Sequence, residues 1–334
     1  MGKALIFKKQ YTFKKIKIYL ASIVKAIMIL KRIYKAGLLI VGLNIITANA
    51  QENNIFDTSI VKPRLRVIID NDFSGDPDGL FQLAHQLLSP SVEVRAVIGS
   101  HLREGDGFDN SKTQADNAAR EASKLLKLLK LNSKVPVIAG SNTAMLNDSV
   151  PVKSDAVRFI IKEAIRTDTK APLFVLCGAG LTEIASAVLT RPEIAQKITL
   201  VWIGGSEYTD LAFPPPNYTN PEYNLNIDIN AAKVIFNKST IAVWQVPRNA
   251  YRQCLLPFSQ LLLNVRTKGE VGKYLAAKIE NITRMIRKYG SNIGETYVLG
   301  DSPLALLTAL QSSFEADPSS SKYAIKMAPK INDR

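Results

Sequence analysis

Apolar residues recur along this chain in two alternating rhythms. Val67-Ile68-Ile69 is a short run, rich in β-branched side chains and too brief for a helix, so it predicts a buried strand. Leu80, Leu83, Ala84, Leu87 and Leu88 then recur at helical spacing until Ser89-Pro90 closes the helix, and residues 92–97 resume as a strand. Strand, loop, helix and strand in that order make a βαβ unit, whose strands run parallel and whose crossover is right-handed.

The alternation continues downstream. Residues 113–129 read as an amphipathic helix with a Lys-rich solvated face, 135–140 as a short strand, 154–166 as a helix and 172–177 as a buried strand. Gly178-Ala179-Gly180 opens another helix, ending near Leu189; 198–203 and 241–246 are strands, with a helix at 231–236 between them. From Tyr251 the pattern predicts mostly helix, broken at Lys268-Gly269-Glu270, up to a last helix over 304–310. Such alternation predicts an α/β fold, a mostly parallel central sheet flanked by helices. Neither a repeat nor a linker divides residues 64–334, so they form one domain. The Pro-, Asn- and Tyr-rich stretch 206–223 is long for a connection and reads as a wall or lid of a site.

Polar residues concentrate where the first strand ends. Asp70, Asp72, Asp76 and Asp78 fall within nine residues that also hold Ser74, Gly75 and Pro77. In open α/β sheets the ligand lies outside the carboxyl ends of the strands, which is where this loop sits. Carboxylates so close repel one another once partly desolvated, so they call for a cation, and an all-oxygen set points to Ca²⁺ or Mg²⁺. Helix capping is the competing account: Asp76 before Pro77 suits an N-cap, which explains one or two of the four acids. His101, at the end of the second strand, is placed either to meet a ligand or merely to cap that strand, whereas His85, inside the first helix, reads as structural. The glycines of Gly178-Ala179-Gly180 read as backbone room at a ligand pocket, since a full phosphate-binding motif is missing.

Charge changes the picture at one end only. The 334 residues carry a formal charge of +14, but ten of the 43 basic residues and none of the 29 acidic ones lie in 1–50, leaving 33 against 29 elsewhere. The remainder has no basic stripe interleaved with aromatics, so nucleic acid is not an expected partner. Lys31-Arg32-Ile33-Tyr34-Lys35, the apolar stretch 36–47 and Ala48-Asn49-Ala50 have the order of a signal peptide cleaved before Gln51, and Met28 is the more ordinary start for it. About 12 apolar residues fall short of the roughly 20 that span a bilayer, so export without a stable membrane anchor is expected. Cys177 and Cys254 read as free buried thiols more readily than as a disulfide. With only two Cys and two His in the chain, a zinc site is poorly supported.

The order of motifs over residues 64–310 resembles the calcium-dependent nucleoside hydrolases, the inosine/uridine-preferring N-ribohydrolase family. The family's D-x-D-P-G-x-D-D-A loop is matched by Asp70-Asn71-Asp72-Phe73-Ser74-Gly75-Asp76-Pro77-Asp78-Gly79, and its G-P-L-T-N by Gly178-Ala179-Gly180-Leu181-Thr182-Glu183. Its M-G-G resembles Trp202-Ile203-Gly204-Gly205, its E-F-N segment Glu222-Tyr223-Asn224, and its late H-D-P-x-A Gly300-Asp301-Ser302-Pro303-Leu304-Ala305.

The resemblance implies a single-domain, Rossmann-like nucleoside hydrolase fold and hydrolysis of the N-glycosidic bond of a ribonucleoside or related riboside. It implies Ca²⁺ held by Asp72, Asp78, Asp301 and the Thr182 carbonyl, ribose contacts from Asp76, Glu222 and Asn224, and Asp72 as the base that takes a proton from the attacking water. Family members are often dimers or tetramers. Three departures stand out. The adjacent D-D pair is split as Asp76-Pro77-Asp78, leaving the roles of these two aspartates exchangeable; the His before the late Asp is Gly300; and Ser100-His101 replaces a G-N motif. Leaving-group activation then falls to His101 or Tyr297, or the substrate is one that needs little help and is not a common nucleoside. A sugar- or nucleoside-binding protein that has lost catalysis on the same scaffold is the alternative reading.

Overall fold

The computed structural model describes residues 60–311 and 323–332, so the expected signal segment lies outside the described residues. Strand β1 (Leu65–Asn71) is buried along its whole length. Its side chains alternate between two cores, Val67 and Ile69 facing one and Ile68 the other, as the period of two requires. A strand covered on both faces has no need of polar alternation, hence its continuous apolar run.

The chain then follows α1 (Asp78–Leu88), β2 (Val92–Gly99), α2 (Gln114–Leu128), β3 (Val137–Ala139), α3 (Asp155–Ala164), β4 (Leu173–Cys177), α4 (Thr182–Thr190) and β5 (Ile198–Ile203). Next come α5 (Ile229–Lys233), which continues as a π turn over Val234–Lys238, and β6 (Ala242–Val246). All pairings within the six-stranded sheet are parallel, in the order β3-β2-β1-β4-β5-β6. Helices α3, α4 and α5 cover the Ile68 face, while α1 and α2 cover the Val67–Ile69 face. Burying each large aliphatic side chain in these layers contributes about 1.5–3 kcal/mol. The α/β architecture expected from the sequence is therefore observed.

One region departs from expectation. The stretch after Tyr251 does not open as a long helix: β7 (Leu255–Pro257) pairs antiparallel with β8 (Thr296–Val298), separate from the main sheet. The long helix α6 (Gly269–Lys288) lies between them, and it begins at the anticipated break, where Gly269 takes φ +62°. Helix α7 (Ser302–Leu306) is shorter than the expected 304–310. Leu275 of α6 and Leu304 of α7 join the Val67–Ile69 core, which fixes Asp301 over the end of β1. Cys177 and Cys254 are both free thiols. Among the described residues no helix is long and apolar enough to cross a membrane.

Candidate active site

Strand order locates the crevice. Successive connections run outward from β1 to β2 and β3 on one side and from β4 to β5 and β6 on the other, so the order reverses between β1 and β4. Loops diverge at such a switch point and leave room for a ligand at the carboxyl ends of the strands. Asp70 pairs with Cys177 at the end of that seam, and Asn71 and Gly178 come next.

Asn71 is the centre of this crevice. Its Nδ2 donates to Asp301 Oδ2 at 2.8 Å, and its Oδ1 accepts from the Asp72 backbone N–H at 2.9 Å. A Cβ on Gly178 would stand 2.4 Å from Asn71 Nδ2, so only glycine lets β4 end against this amide. The room made by the Gly178-Ala179-Gly180 turn is thus filled by the protein itself: Asn71 at Gly178 and Ile227 at Gly180. Trp202 pins the same turn, its indole N–H donating to Ala179 O at 2.9 Å.

Around Asn71 the chain gathers Asp72, Asp76, Asp78 and Asp301. Asp72 and Asp301 are buried; Asp76 and Asp78 are half-buried. Burial, then repulsion from Asp301, Asp76 and Asp106, raises the Asp72 carboxyl well above its ordinary range. Burial and the charges of Asp301, Asp76 and Asp72 do the same to Asp78, and burial pushes Asp301 up to about 7. Asp78 Oδ2 also accepts from the Asp301 backbone N–H at 3.2 Å, tying the first loop to the last. Asp76 Oδ1 accepts from Tyr297 Oη at 2.8 Å and from the Asp78 N–H at 3.2 Å; the expected Asp76 cap is displaced, because α1 begins at Asp78 with Pro77 in the cap position and no side-chain cap bond.

Two further carboxylates line the crevice. Glu222 is fully buried: Oε2 accepts from the N–H groups of Gly205 (2.7 Å) and Leu225 (3.1 Å), and Oε1 from Tyr251 Oη (2.7 Å). Asn224 Nδ2 donates to Gly178 O at 3.0 Å and Ile203 O at 2.8 Å, clasping the ends of β4 and β5. Asp106, which sequence reasoning did not single out, accepts from Tyr223 Oη at 2.9 Å and acts on Asp72. A tyrosine hydroxyl therefore meets each of Asp76, Glu222 and Asp106. None of the three pairs has a local sequence signal, because the partners lie 221, 29 and 117 residues apart.

His101 and Thr182 are brought together, but with each other. His101 Nε2 lies 3.0 Å from Thr182 Oγ1 and Nδ1 lies 2.8 Å from Leu102 O, while Thr182 Oγ1 donates to Asp228 Oδ2 at 2.6 Å. Both imidazole nitrogens are thus occupied by protein, and no hydrogen bond links Thr182 to Asp72, Asp78 or Asp301. A second acidic pair is formed by Glu183 and by Asp70, which the sequence groups with the acids of the first loop but which the structure pairs instead with Ser100. Burial, then the Asp70 charge, pushes Glu183 up to about 8, and burial pushes Asp70 up to about 7. Ser100 Oγ donates to Asp70 Oδ1, and Ser141 N–H donates to Glu183 Oε1 at 2.7 Å.

The donor set suits a hard cation. The principal charges acting on Asp72, Asp78 and Asp301 are those of other carboxylates. Buried acids that only repel one another are relieved by an oxygen-seeking divalent ion. Among the described residues no three acidic, His or Cys side chains are drawn into a tight ligand group, so the fit rests on donor chemistry and charge.

Comparison with known proteins agrees with this fold. The chain is similar to a plant nucleoside hydrolase, the PpNRh1 enzyme, at 21% identity over 75% of this chain and 81% of that one, with a TM-score of 0.57. It is similar to the purine-preferring ribonucleoside hydrolase of Gardnerella vaginalis at 20% identity over 73% and 79%, TM-score 0.56. The inosine-uridine preferring nucleoside hydrolase of Bacillus anthracis matches at 18% identity over 74% and 82%, TM-score 0.51. No curated protein matches the chain by sequence. The profile of the inosine-uridine preferring nucleoside hydrolases matches residues 67–328. The chain belongs to that family of enzymes, which hydrolyse the N-glycosidic bond of nucleosides.

Proposed function

We propose that the protein is a Ca²⁺-dependent N-ribohydrolase in which Asp72 is the general base. The observation that carries this reading is the group of Asp72, Asp78 and Asp301 around Asn71 at the switch point, three acids acted on chiefly by other carboxylates. These three side chains would hold the ion. When bound it would supply orientation of the sugar diol and a lower pKa for a coordinated water.

The remaining chemistry belongs to the chain. Asp72 takes a proton from the attacking water, a role worth about 10²–10⁴ in rate for a positioned base. Both hydrogens of the Asn224 amide are committed to backbone carbonyls, which leaves its Oδ1 to accept from a ribose hydroxyl. Glu222 is held rigid by two backbone N–H groups and Tyr251, which leaves a lone pair on Oε1 for a second hydroxyl. Asp76, oriented by Tyr297, completes the ribose contacts. Carboxylates ringed around the sugar stabilise the positive charge that develops at C1′ as the bond to nitrogen breaks. The hydrogen bond from the Asp301 N–H to Asp78 supports Asp78, rather than Asp76, as the ion ligand. We further propose that residues 31–50 direct export; amino-terminal sequencing of the mature protein should then begin at Gln51, and an uncleaved terminus would refute it.

The test is ribose release from ribosides with Ca²⁺ or with chelator. Wild type should be chelator-sensitive, Asp72→Asn should lose about 10²–10⁴ in kcat, and Asp301→Ala should lose both turnover and the Ca²⁺-induced rise in Tm. Full turnover by either variant would sink the reading.

A further inference from the structure

We propose that the preferred substrates are N-ribosides whose aglycone nitrogen carries a positive charge, as in a pyridinium riboside, and not neutral nucleosides. This rests on the hydrolase reading above and adds the substrate class.

The first ground is the commitment of proton donors. Breaking C1′–N sends the bonding pair to the aglycone, so a neutral nucleoside releases an anion unless a proton arrives at the leaving base. Around this site the hydroxyls of Tyr223, Tyr251 and Tyr297 already donate to Asp106, Glu222 and Asp76. His101 is 2% exposed and has both ring nitrogens engaged. Residue 300 has no side chain, and the Tyr251 ring stands 3.1 Å from where its Cβ would be.

Charge is the second ground. Six acids ring one site: Asn71 donates to Asp301 and accepts from the Asp72 N–H, Asp78 accepts from the Asp301 N–H and Asp76 from the Asp78 N–H, while Tyr251, beside Gly300, holds Glu222 and Tyr223, next to Glu222, holds Asp106. A divalent ion would offset two of those charges. Of the nearby guanidinium groups, Arg248 is closed against Glu207 in a buried bidentate pair, Arg103, half exposed, stays 3.9 Å from Asp106, and Arg252, next to Tyr251, is exposed. An anionic leaving group would be repelled here, whereas a cationic aglycone is attracted on entry and leaves neutral.

The balance closes without a further reactant. Water adds its oxygen to C1′ and gives a proton to Asp72; the C1′–N pair neutralises the ring nitrogen; ribose and a neutral base depart.

The experiment measures ribose release by the full chain with Ca²⁺ from nicotinamide riboside, inosine, uridine and p-nitrophenyl riboside, the last a good leaving group on a neutral substrate. The expected result is a kcat/KM for nicotinamide riboside at least about 100-fold above inosine and uridine, the scale of a missing general acid. Its KM should rise with salt and in Asp106→Asn, while KM for p-nitrophenyl riboside moves less. A ratio below that threshold, or p-nitrophenyl riboside matching nicotinamide riboside with no salt effect on either, overturns the proposal while leaving the hydrolase intact. No release from any of the four overturns the hydrolase reading and this proposal with it.

Discussion

Asn71 and Asp301, 230 residues apart, are joined by a hydrogen bond of 2.8 Å from Nδ2 to Oδ2. The same amide accepts from the Asp72 N–H, so one side chain sets the positions of two proposed ion ligands. Groups that orient ligands are typically worth 10–100-fold in affinity or activity. Asn71→Ala should weaken Ca²⁺ binding by about that factor, measured by calorimetric titration. Undiminished affinity would mean that Asp301 holds its place without the amide.

At the opposite end of β1, Glu163 Oε1 accepts from Arg66 at 2.6 Å, Arg95 at 3.1 Å and Arg166 at 3.0 Å. Arg66 is only 5% exposed, so Glu163→Ala strands a buried cation. Loss of about 3–5 kcal/mol is expected in urea unfolding, with kcat of the folded protein unchanged. A loss under about 1 kcal/mol, the value of a surface pair, would contradict this.

Glu183 gives a pH signature. Its carboxyl is raised from 4.5 to about 8 in the folded chain, so between those values the folded state binds more protons than the unfolded one. Stability then falls as pH rises through that window, by up to roughly 1.4 kcal/mol per unit. Asp70, raised to about 7, adds to the fall. Glu183→Gln keeps an acceptor for Ser141 N–H, and its Tm should decline less steeply from pH 5.5 to 8. An unchanged slope would remove Glu183 as its source.

Gly300 is hemmed in on two sides. A Cβ there would lie 3.1 Å from both Asp78 Oδ2 and Tyr251 Cδ2. Gly300→Ala should cost about 1–3 kcal/mol and loosen Ca²⁺ binding through Asp78. Wild-type stability and affinity together would show that Tyr251 yields freely.

Tyr251→Phe removes the donor on Glu222 Oε1. Hydrogen bonds to charged groups are worth about 1.5–3 kcal/mol, so KM for a riboside should rise about tenfold or more with a smaller change in kcat. A change confined to kcat would place Tyr251 in the chemical step instead.

The parallel sheet was legible in the sequence because β1, β4 and β5 are apolar runs bounded by turn residues and β2 alternates Val92, Val94 and Ala96 with Glu93 and Arg95. The pair β7–β8 was not: Leu255, Leu256, Phe258, Leu261 and Leu262 follow helical spacing, and a strand of three residues cannot show a period of two. At the site, the acids of the first loop stand out because they crowd a strand end. Asn71 between them does not, since its meaning lies in a contact with Asp301. Asp106, Tyr223 and Tyr251 were hidden for the same reason, each acting through a distant partner. The contacts of the Thr182 side chain with Asp228 and of His101 with Thr182 were likewise hidden, because the partners lie 46 and 81 residues apart.

The reach of the Asn71–Asp301 bond also bears on when the enzyme becomes active. The carboxylates proposed to bind the ion come from both ends of the folded domain, and α7 must dock before Asp301 arrives. A chain still emerging from the ribosome lacks a complete set. On that proposal, turnover begins only once the two ends of the domain have met.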